Sequence, residues 1–526
     1  MMQLPKHLKI AAGSGGAAVF GILFGWVIFP TVLKSQLKKQ MALSPKTDVR
    51  QMWVKVPFAI DFKVYLFNYT NVDEIQKGAI PIVKEVGPYY FEEWKEKVEV
   101  KDHEENDTIT FKRKDTFYFK PHLSGPGLTG EEEITFPNVF MLAMATIVSR
   151  DKPAMLNMIG KALNGIFDNP ENAFIKVKAL DILFRGIIIN CARTEFAPKA
   201  VCTALKKEAT GLIFEPNNQY RFSIFGMRNG TPDTHVLTAR RGMKNVKEVG
   251  SIIAIDGKDK LDVWRDHCNN FEGTDGTIFP PLLYEDEQLK SFSPDLCRSF
   301  KPNFQKKTSY AGIKTNRYVT NIGDLANDPD LQCFCDTPDT CPKKGLMDLT
   351  KCINAPMYVS MPHFLDCDPE LLMNVKGLNP DINEHGILID FEPMSGTPLE
   401  ARQRIQFNLK LLKTDKIDIL KDMPDTIAPL FWVEEGLALN NDFIKMLKHQ
   451  LFLPKRIVGV MRWLLVSFGL LGVIGSLVFH FKGRNIMKFA VTQGSAVTKI
   501  KPEEVEQKDV SVIGQAPPEE LPKVQM

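Results

Sequence analysis

The chain has 526 residues, and its 66 Lys+Arg against 63 Asp+Glu leave a formal net charge of only +3. So even a balance gives no sign of a nucleic-acid partner or an acidic tail, and 44% hydrophobic residues place the chain among ordinary folded proteins. These averages conceal two strongly apolar segments, one near each end.

The first segment, Ile10 to Leu33, is 24 residues without a charge. At about 1.5 Å rise per residue it can cross a hydrocarbon core of ~30 Å. A secretory signal peptide has a shorter apolar region, roughly 7–15 residues, and a cleavage site just after it. This run is longer and leads straight into Lys34, Lys38 and Lys39, so an uncleaved membrane anchor is expected. Small residues recur every four at Gly13, Ala17, Gly21 and Gly25. They offer a face for close approach by the second span or a second copy, although small residues are common in membrane helices generally.

From Met52 to about Pro121 the pattern is strand-like: KVYLFNYT, TITFKRK and TFYFK are alternating or β-branched and aromatic, and VGPYYF joins a Gly-Pro turn to an aromatic strand. GPGLTG (Gly125, Gly127, Gly130) matches a dinucleotide fingerprint letter for letter. No strand-to-helix turn within a βαβ unit surrounds it, so a plain turn is expected, followed by a solvated acidic run at Glu131, Glu132 and Glu133. Residues 137–185 change character and read as helical, with Asn169-Pro170-Glu171 as a helix start. Met141, Met144, Met155 and Met158 lie here, either as shape-adaptable lining for a ligand or as ordinary core. After Gly186 short, turn-bounded strands return, among them RGIIINCARTEF, YRFSIFG, GSIIAID, MYVSMPHF, ILIDFEP, IQFNLKLL and APLFWVEEG. No linker or repeat divides the region, which predicts one β-rich domain with a helical insert and a closed or nearly closed sheet.

All nine cysteines lie between Cys191 and Cys367, and Cys268, Cys297, Cys333, Cys335, Cys341 and Cys352 cluster within 268–352. Their spacing, with Cys-x-Cys-x5-Cys-x10-Cys at its end, fits poorly with the paired Cys-x2–4-Cys of structural zinc, and favours disulfides in a translocated domain. From count alone, six cysteines allow fifteen pairings. Sequons at Asn68, Asn106 and Asn229 are candidate glycosylation sites, close to the number chance gives a chain this long. There is no H-E-x-x-H, G-x-S-x-G, P-loop or Cys-x-x-Cys, and the nine histidines show no metal-ligand spacing. No catalytic residue, metal site or cofactor is expected.

The second apolar segment, Ile457 to Phe481, is flanked by Lys455 and Arg456 on one side and Lys482 and Arg484 on the other. Arg462 lies one turn inside, where its stem can snorkel to the interface, and Trp26 and Trp463 suit interface positions. Basic residues flank both spans on both sides, so the Cys-rich loop decides orientation. The expected plan is a cytoplasmic N-terminus at 1–9, a span at 10–33, an ectodomain at 34–456, a span at 457–481 and a polar, disordered cytoplasmic tail at 482–526.

The cysteine-rich stretch CNNFEGTDGTIFPPLLYEDEQLKSFSPDLCRSF resembles the class B scavenger receptor family. So do CFCDTPDTC, GLMDLTKCINAPMYVSMPHFL, GLNPDINEHGILIDFEPMSGTPLEARQRIQFNL and VYLFNYTNVDEI…EVGPYYF, and the likeness covers nearly all of residues 10–480. The resemblance implies three disulfides, Cys268–Cys333, Cys297–Cys352 and Cys335–Cys341. It leaves Cys191, Cys202 and Cys367, expected as buried free thiols in preference to a fourth bridge. It further implies a mixed α+β membrane protein: an antiparallel β-barrel-like ectodomain with an apical helical bundle near 137–185, an internal tunnel for lipids, and one transmembrane helix at each end. Relatives that bind lipid anions use basic apical residues, which makes Lys152, Lys161, Lys176 and Lys178 capture candidates by location. Some relatives carry acylated cysteines beside the membrane; none is present at those positions here, which excludes palmitoylation there.

Within the family the overall likeness is to members of insect sensory neurons. That implies a receptor or co-factor in odour detection, two-pass in the dendritic cell membrane. Its cargo would be a hydrophobic small molecule, a fatty-acid-derived pheromone or another lipid, delivered to an odorant receptor complex in the same membrane. General uptake of fatty acids or lipoproteins is the first alternative, and adhesion or protein delivery the second.

Overall fold

The computed structural model describes residues 5–208 and 211–494. They form two compact units: one joins the two chain ends, up to Thr31 and from Leu451, and the other is Val32–Gln450.

The terminal unit is a pair of helices. Among the described residues, Lys6–Met41 and Asn441–Lys482 are the two stretches of helix long and apolar enough to cross a membrane. Each predicted span is the middle of a longer helix. The second helix continues through Lys482 to Gly494, so the first dozen residues of the expected disordered tail are helical; the rest of that tail, and residues 1–4, lie outside the described residues. The close seam runs through Ser14, Ala18, Gly21 and Gly25. A Cβ on Gly472 would fall 2.2 Å from Ser14 Oγ, one on Gly469 2.7 Å from Ala18 Cβ, one on Gly21 2.8 Å from Leu465 Cβ, and one on Gly25 2.5 Å from Arg462 Cδ. The expected row is thus half right: Gly21 and Gly25 face the partner helix, while a Cβ on Gly13 would meet nothing within 4 Å. A strict four-residue repeat drifts around a helix of 3.6 residues per turn, and steps of four, three and four hold one face.

In the large unit, ten strands form one antiparallel path. Its order is Ile252–Ile255, Leu237–Arg240, Thr108–Phe119, Val83–His103, Ile60–Tyr69, Thr426–Ala438, Thr397–Leu411, Ile387–Glu392, Ile313–Thr320 and Asn303–Tyr310. Met357–Ser360 also pairs with 397–411 and extends to Met347–Asp348, which brings the sheet to 12 strands. The VGPYYF segment is no turn: it lies inside the 83–103 strand, and Gly87 admits the Tyr65 ring, which a Cβ would meet at 2.6 Å. GPGLTG is a turn, with φ of +77° at Gly127 and +83° at Gly130, and the Glu132 carboxylate accepts the Thr129 and Gly130 N–H groups. The acidic run is therefore partly structural, because Glu131 also pairs with Arg185 and Lys178.

The helical part differs from expectation in two places. Val139–Asp151 and Leu156–Ile166 are helices, but Asn169-Pro170-Glu171 starts none. Asp168 and Asn169 take left-handed φ values of +56° and +55°, and Phe174–Lys178 is a strand paired with Glu133–Pro137. The β-branched Ile175 and Val177 outweigh the capping pattern ahead of them. Beyond Gly186, where strands were expected, Phe196–Glu208 is a third helix. Its Ala197, Val201, Cys202 and Leu205 join the core, a helical spacing that the sequence FAPKAVCTALKKE does carry.

Cysteine pairs join Cys268–Cys333, Cys297–Cys352 and Cys335–Cys341. Cys191 and Cys202 are bonded too, against the expectation of free thiols, with Cα atoms 5.7 Å apart. The 187–190 strand ends at Cys191 just where the third helix brings Cys202 back over the small sheet it belongs to. Among the described residues Cys367 is the free cysteine.

Candidate functional site

Helix 139–151 begins at Asn138, whose Oδ1 accepts the Met141 N–H at 3.1 Å, a cap that satisfies an otherwise orphaned donor. Leu156, Ile159, Ala162, Leu163 and Ile166 bury one face of the second helix. That face and the third helix share one core with the centre of the large sheet. Helices 156–166 and 196–208 pack tightly, and a Cβ on Gly165 would fall 2.5 Å from Pro198 Cγ.

Six phenylalanines pack together here, Phe62, Phe91 and Phe431 buried in the core and Phe117, Phe184 and Phe225 half-buried against it. Phe62, Phe91, Phe117 and Phe431 come from adjoining strands, and Phe184 and Phe225 from the connections after the helical part. Ring centroids lie 4.8 Å apart for Phe62–Phe117, 4.7 Å for Phe91–Phe184, 5.4 Å for Phe62–Phe225, 5.7 Å for Phe184–Phe225 and 5.9 Å for Phe225–Phe431. Phe62–Phe225 and Phe225–Phe431 meet edge to face and the other three pairs are tilted, so the rings form an apolar wall with no hydrogen-bonding group of its own. Of the methionines, Met141 is fully buried, Met144 and Met158 half-buried, and Met155 exposed. A separate cleft of about 50 Å³ is lined by Asn321, Asp324, Lys344 and Asp366 together with Ile322, Met361 and Leu365. It is smaller than the roughly 300–1,000 Å³ typical of enclosing ligand pockets.

Lys152, Lys161, Lys176 and Lys178 are all exposed and belong to three different elements. Lys152 caps the end of helix 139–151, and Lys161 sits on the outer face of the next helix. Lys176 and Lys178 share a face of the 174–178 strand, and Lys178 is paired with Glu131 at 2.9 Å. The third helix adds Lys199, Lys206 and Lys207, which become basic neighbours of this region only because their stretch is helix and not the expected strand. Of the sequons, Asn106 is exposed in the turn between two long strands. Asn68 Oδ1 accepts the Thr135 N–H at 2.8 Å, and Asn229 binds both backbone groups of Phe117.

Among the described residues, two side-chain clusters have metal-ligand composition, and the chemistry of each speaks against a metal. In His267–Cys268–Cys333 the two sulfurs are spent on each other as a disulfide. In Glu85–His363–His385, both Nδ1 atoms accept backbone N–H groups, from Asn379 at 3.0 Å and Asp381 at 2.9 Å. The protons of both neutral rings therefore sit on Nε2, the atoms a metal would need free. The His363 proton serves Glu85 instead: the Glu85 Oε2 accepts His363 Nε2–H and Trp432 Nε1–H, both at 2.7 Å. Burial pushes the Glu85 carboxyl up, and these donors outweigh it and hold the group below its usual value. Burial and the neighbouring His363 lower His385 to about 4. Nothing in the sequence singles out this group, whose members come from four separate segments.

The CD36 family model matches residues 13–480. The chain is 70% identical over 527 residues to the protein named Sensory neuron membrane protein 1 of Plutella xylostella, covering 100% of both chains. It is 68% identical over 516 residues to the protein of that name from Heliothis virescens (98% of each chain) and 66% identical over 526 residues to that of Manduca sexta (100% of each).

Proposed function

The chain belongs to the CD36 family, the class B scavenger receptors, and on that premise we propose that it is an olfactory membrane receptor for hydrophobic, lipid-derived odorants. The observation that supports this reading is the cluster of buried and half-buried phenylalanines shared by the central strands and the connections after the helical part. An odorant with a long alkyl chain leaves water at the exposed helices, where the lysines attract any polar head. It then moves between the rings towards the bilayer and an odorant receptor in that membrane. Each methylene transferred contributes about 0.8 kcal/mol, so a chain of ten or more carbons binds without chemistry or a cofactor. The names of the relatives supply the sensory setting. Both termini are cytoplasmic, and the three cysteine pairs of 268–352 stabilise an extracellular domain.

A photoreactive fatty-acid-derived pheromone analogue tests the reading. Label is expected on peptides containing Phe62, Phe117, Phe184, Phe225 or Phe431. Labelling no stronger than that of an unrelated membrane glycoprotein ends it. Strong expression in gut or fat body with none in antennae transfers the protein to general lipid uptake.

A further inference from the structure

The terminal helix pair holds a cation for which the protein supplies no anion. Arg462 lies in the second span with its guanidinium carbon 4.0 Å from the Trp26 ring centroid and 5.7 Å from that of Trp463. The two indoles meet edge to face at 5.4 Å. Gly25 makes room for the arginine stem: a Cβ there would lie 2.5 Å from Cδ, 2.6 Å from Cγ and 2.8 Å from Cβ of Arg462. The position is therefore built, because the stem is laid in a slot and the charged end is framed by two rings. Arg462 Nε is buried without a partner, and among the described residues no acceptor is hydrogen-bonded to any of its nitrogens.

No acidic residue is at hand in sequence either. From Met1 to Thr47, and again from Phe443 to Pro502, there is no Asp or Glu. The groups flanking the Arg462 end of the pair are Lys34, Lys38 and Lys39 after one span and Lys455 and Arg456 before the other, all cationic. A guanidinium offers five donors in a planar fork suited to a doubly oxygenated anion. Arg462 sits five residues past Ile457, about 7.5 Å along the axis; a run this long centred on a core of ~30 Å puts its backbone roughly 4 Å inside the hydrocarbon, a depth from which a long arginine stem snorkels to the headgroup boundary. Phosphodiester oxygens lie at and just beyond that boundary, within reach of the guanidinium. The surrounding positive charge favours a lipid of net negative charge over a zwitterionic one.

We propose that Arg462, framed by Trp26 and Trp463 and seated on Gly25, binds the phosphate of an anionic phospholipid at the edge of the bilayer. The site is separate from odorant capture, and its existence does not depend on that reading. The lipid phosphate accepts from the guanidinium fork while the exposed indole faces flank its glycerol and upper acyl chains. It gives the helix pair a preferred lipid composition.

Bromine quenching of tryptophan tests this in the full chain held in phosphatidylcholine nanodiscs, because Trp26 and Trp463 are the tryptophans of the two spans. A minor fraction of the lipid is replaced by brominated phosphatidylcholine, brominated phosphatidylglycerol or brominated stearate. Brominated phosphatidylglycerol is expected to quench as if enriched about five-fold over the brominated phosphatidylcholine. That preference is lost in Arg462→Gln and weakened in Arg462→Lys, which keeps the charge and the stem and so guards against a folding defect. Equal quenching by the two phospholipids overturns the proposal, as does a preference that survives in Arg462→Gln or is undiminished in Arg462→Lys. Stronger Arg462-dependent quenching by stearate than by phosphatidylglycerol assigns the fork to a fatty-acid carboxylate and also overturns it.

Discussion

Replacing both Cys191 and Cys202 by alanine removes the bond that ties the third helix, 196–208, to the end of the 187–190 strand. The bridge spans a sequence separation of 11 residues. Loop-closure entropy for a ring of that size corresponds to about 2.8 kcal/mol, roughly a hundred-fold in the equilibrium between closed and open states. The two side chains lie in the core and shrink to alanine there, which adds a small packing loss in the same direction. Hydrogen exchange of the 196–208 amides is therefore expected to quicken by about two orders of magnitude, with the central strands changed far less. Mass spectrometry after alkylation supplies the direct count: one thiol, Cys367, before reduction and nine after it. Three thiols before reduction, or unchanged exchange in the double variant, refutes the bridge and restores the free-thiol expectation.

Gly469→Leu drives a side chain into Ala18 and the Ser14 carbonyl, and an engineered cross-link between positions 14 and 472 is expected to form in the parent and fail in this variant. Asn106→Gln is expected to remove a glycan, read as an endoglycosidase-sensitive band shift, whereas Asn229→Gln shifts nothing because its Nδ2, the atom a glycan needs, donates to the Phe117 carbonyl. His385 supplies a pH dependence. The unfolded chain protonates it near 6.5 and the folded chain only at about 4, so its contribution is fully present above pH 6.5 and is lost as pH falls towards 4. Protonation displaces the Asp381 N–H from Nδ1, so exchange at that amide should accelerate across this window, and His385→Phe should flatten the profile.

What the sequence made legible depended on how local the signal was. The spans could be read because an uncharged run of 24 residues, Ile10 to Leu33, is as long as a bilayer crossing needs and longer than an ordinary core helix. The long strands could be read because FKVYLF and FYF alternate within themselves. The cysteine pairing came with the family motifs. The third helix carries its own signal, yet the strand pattern of Ile187–Asn190 just ahead of it masks the change to helical spacing at Phe196–Glu208. At 174–178 a good cap pattern preceded a segment whose partner strand, 133–137, lies about forty residues earlier, and tertiary pairing decided. The Phe wall and the Glu85 group were out of reach for a plainer reason. Their members, such as Phe62, Phe225 and Phe431 or Glu85, His363 and Trp432, meet only after the sheet has formed. No single segment carries a trace of the meeting.

The seam between the two terminal helices also has a consequence in time. A ribosome finishes the Ser14–Gly25 face more than four hundred residues before it makes the Arg462–Gly472 face that covers it. At roughly 5–20 residues per second, the first helix waits some 20 to 90 s in the bilayer with its glycines open. Throughout that interval lipid, a membrane chaperone or the first helix of a neighbouring nascent chain can occupy the groove. Biogenesis of this protein is thus a race between late synthesis and early mispairing, and substitutions at Gly21 or Gly25 should tell on cellular yield before they tell on the finished molecule.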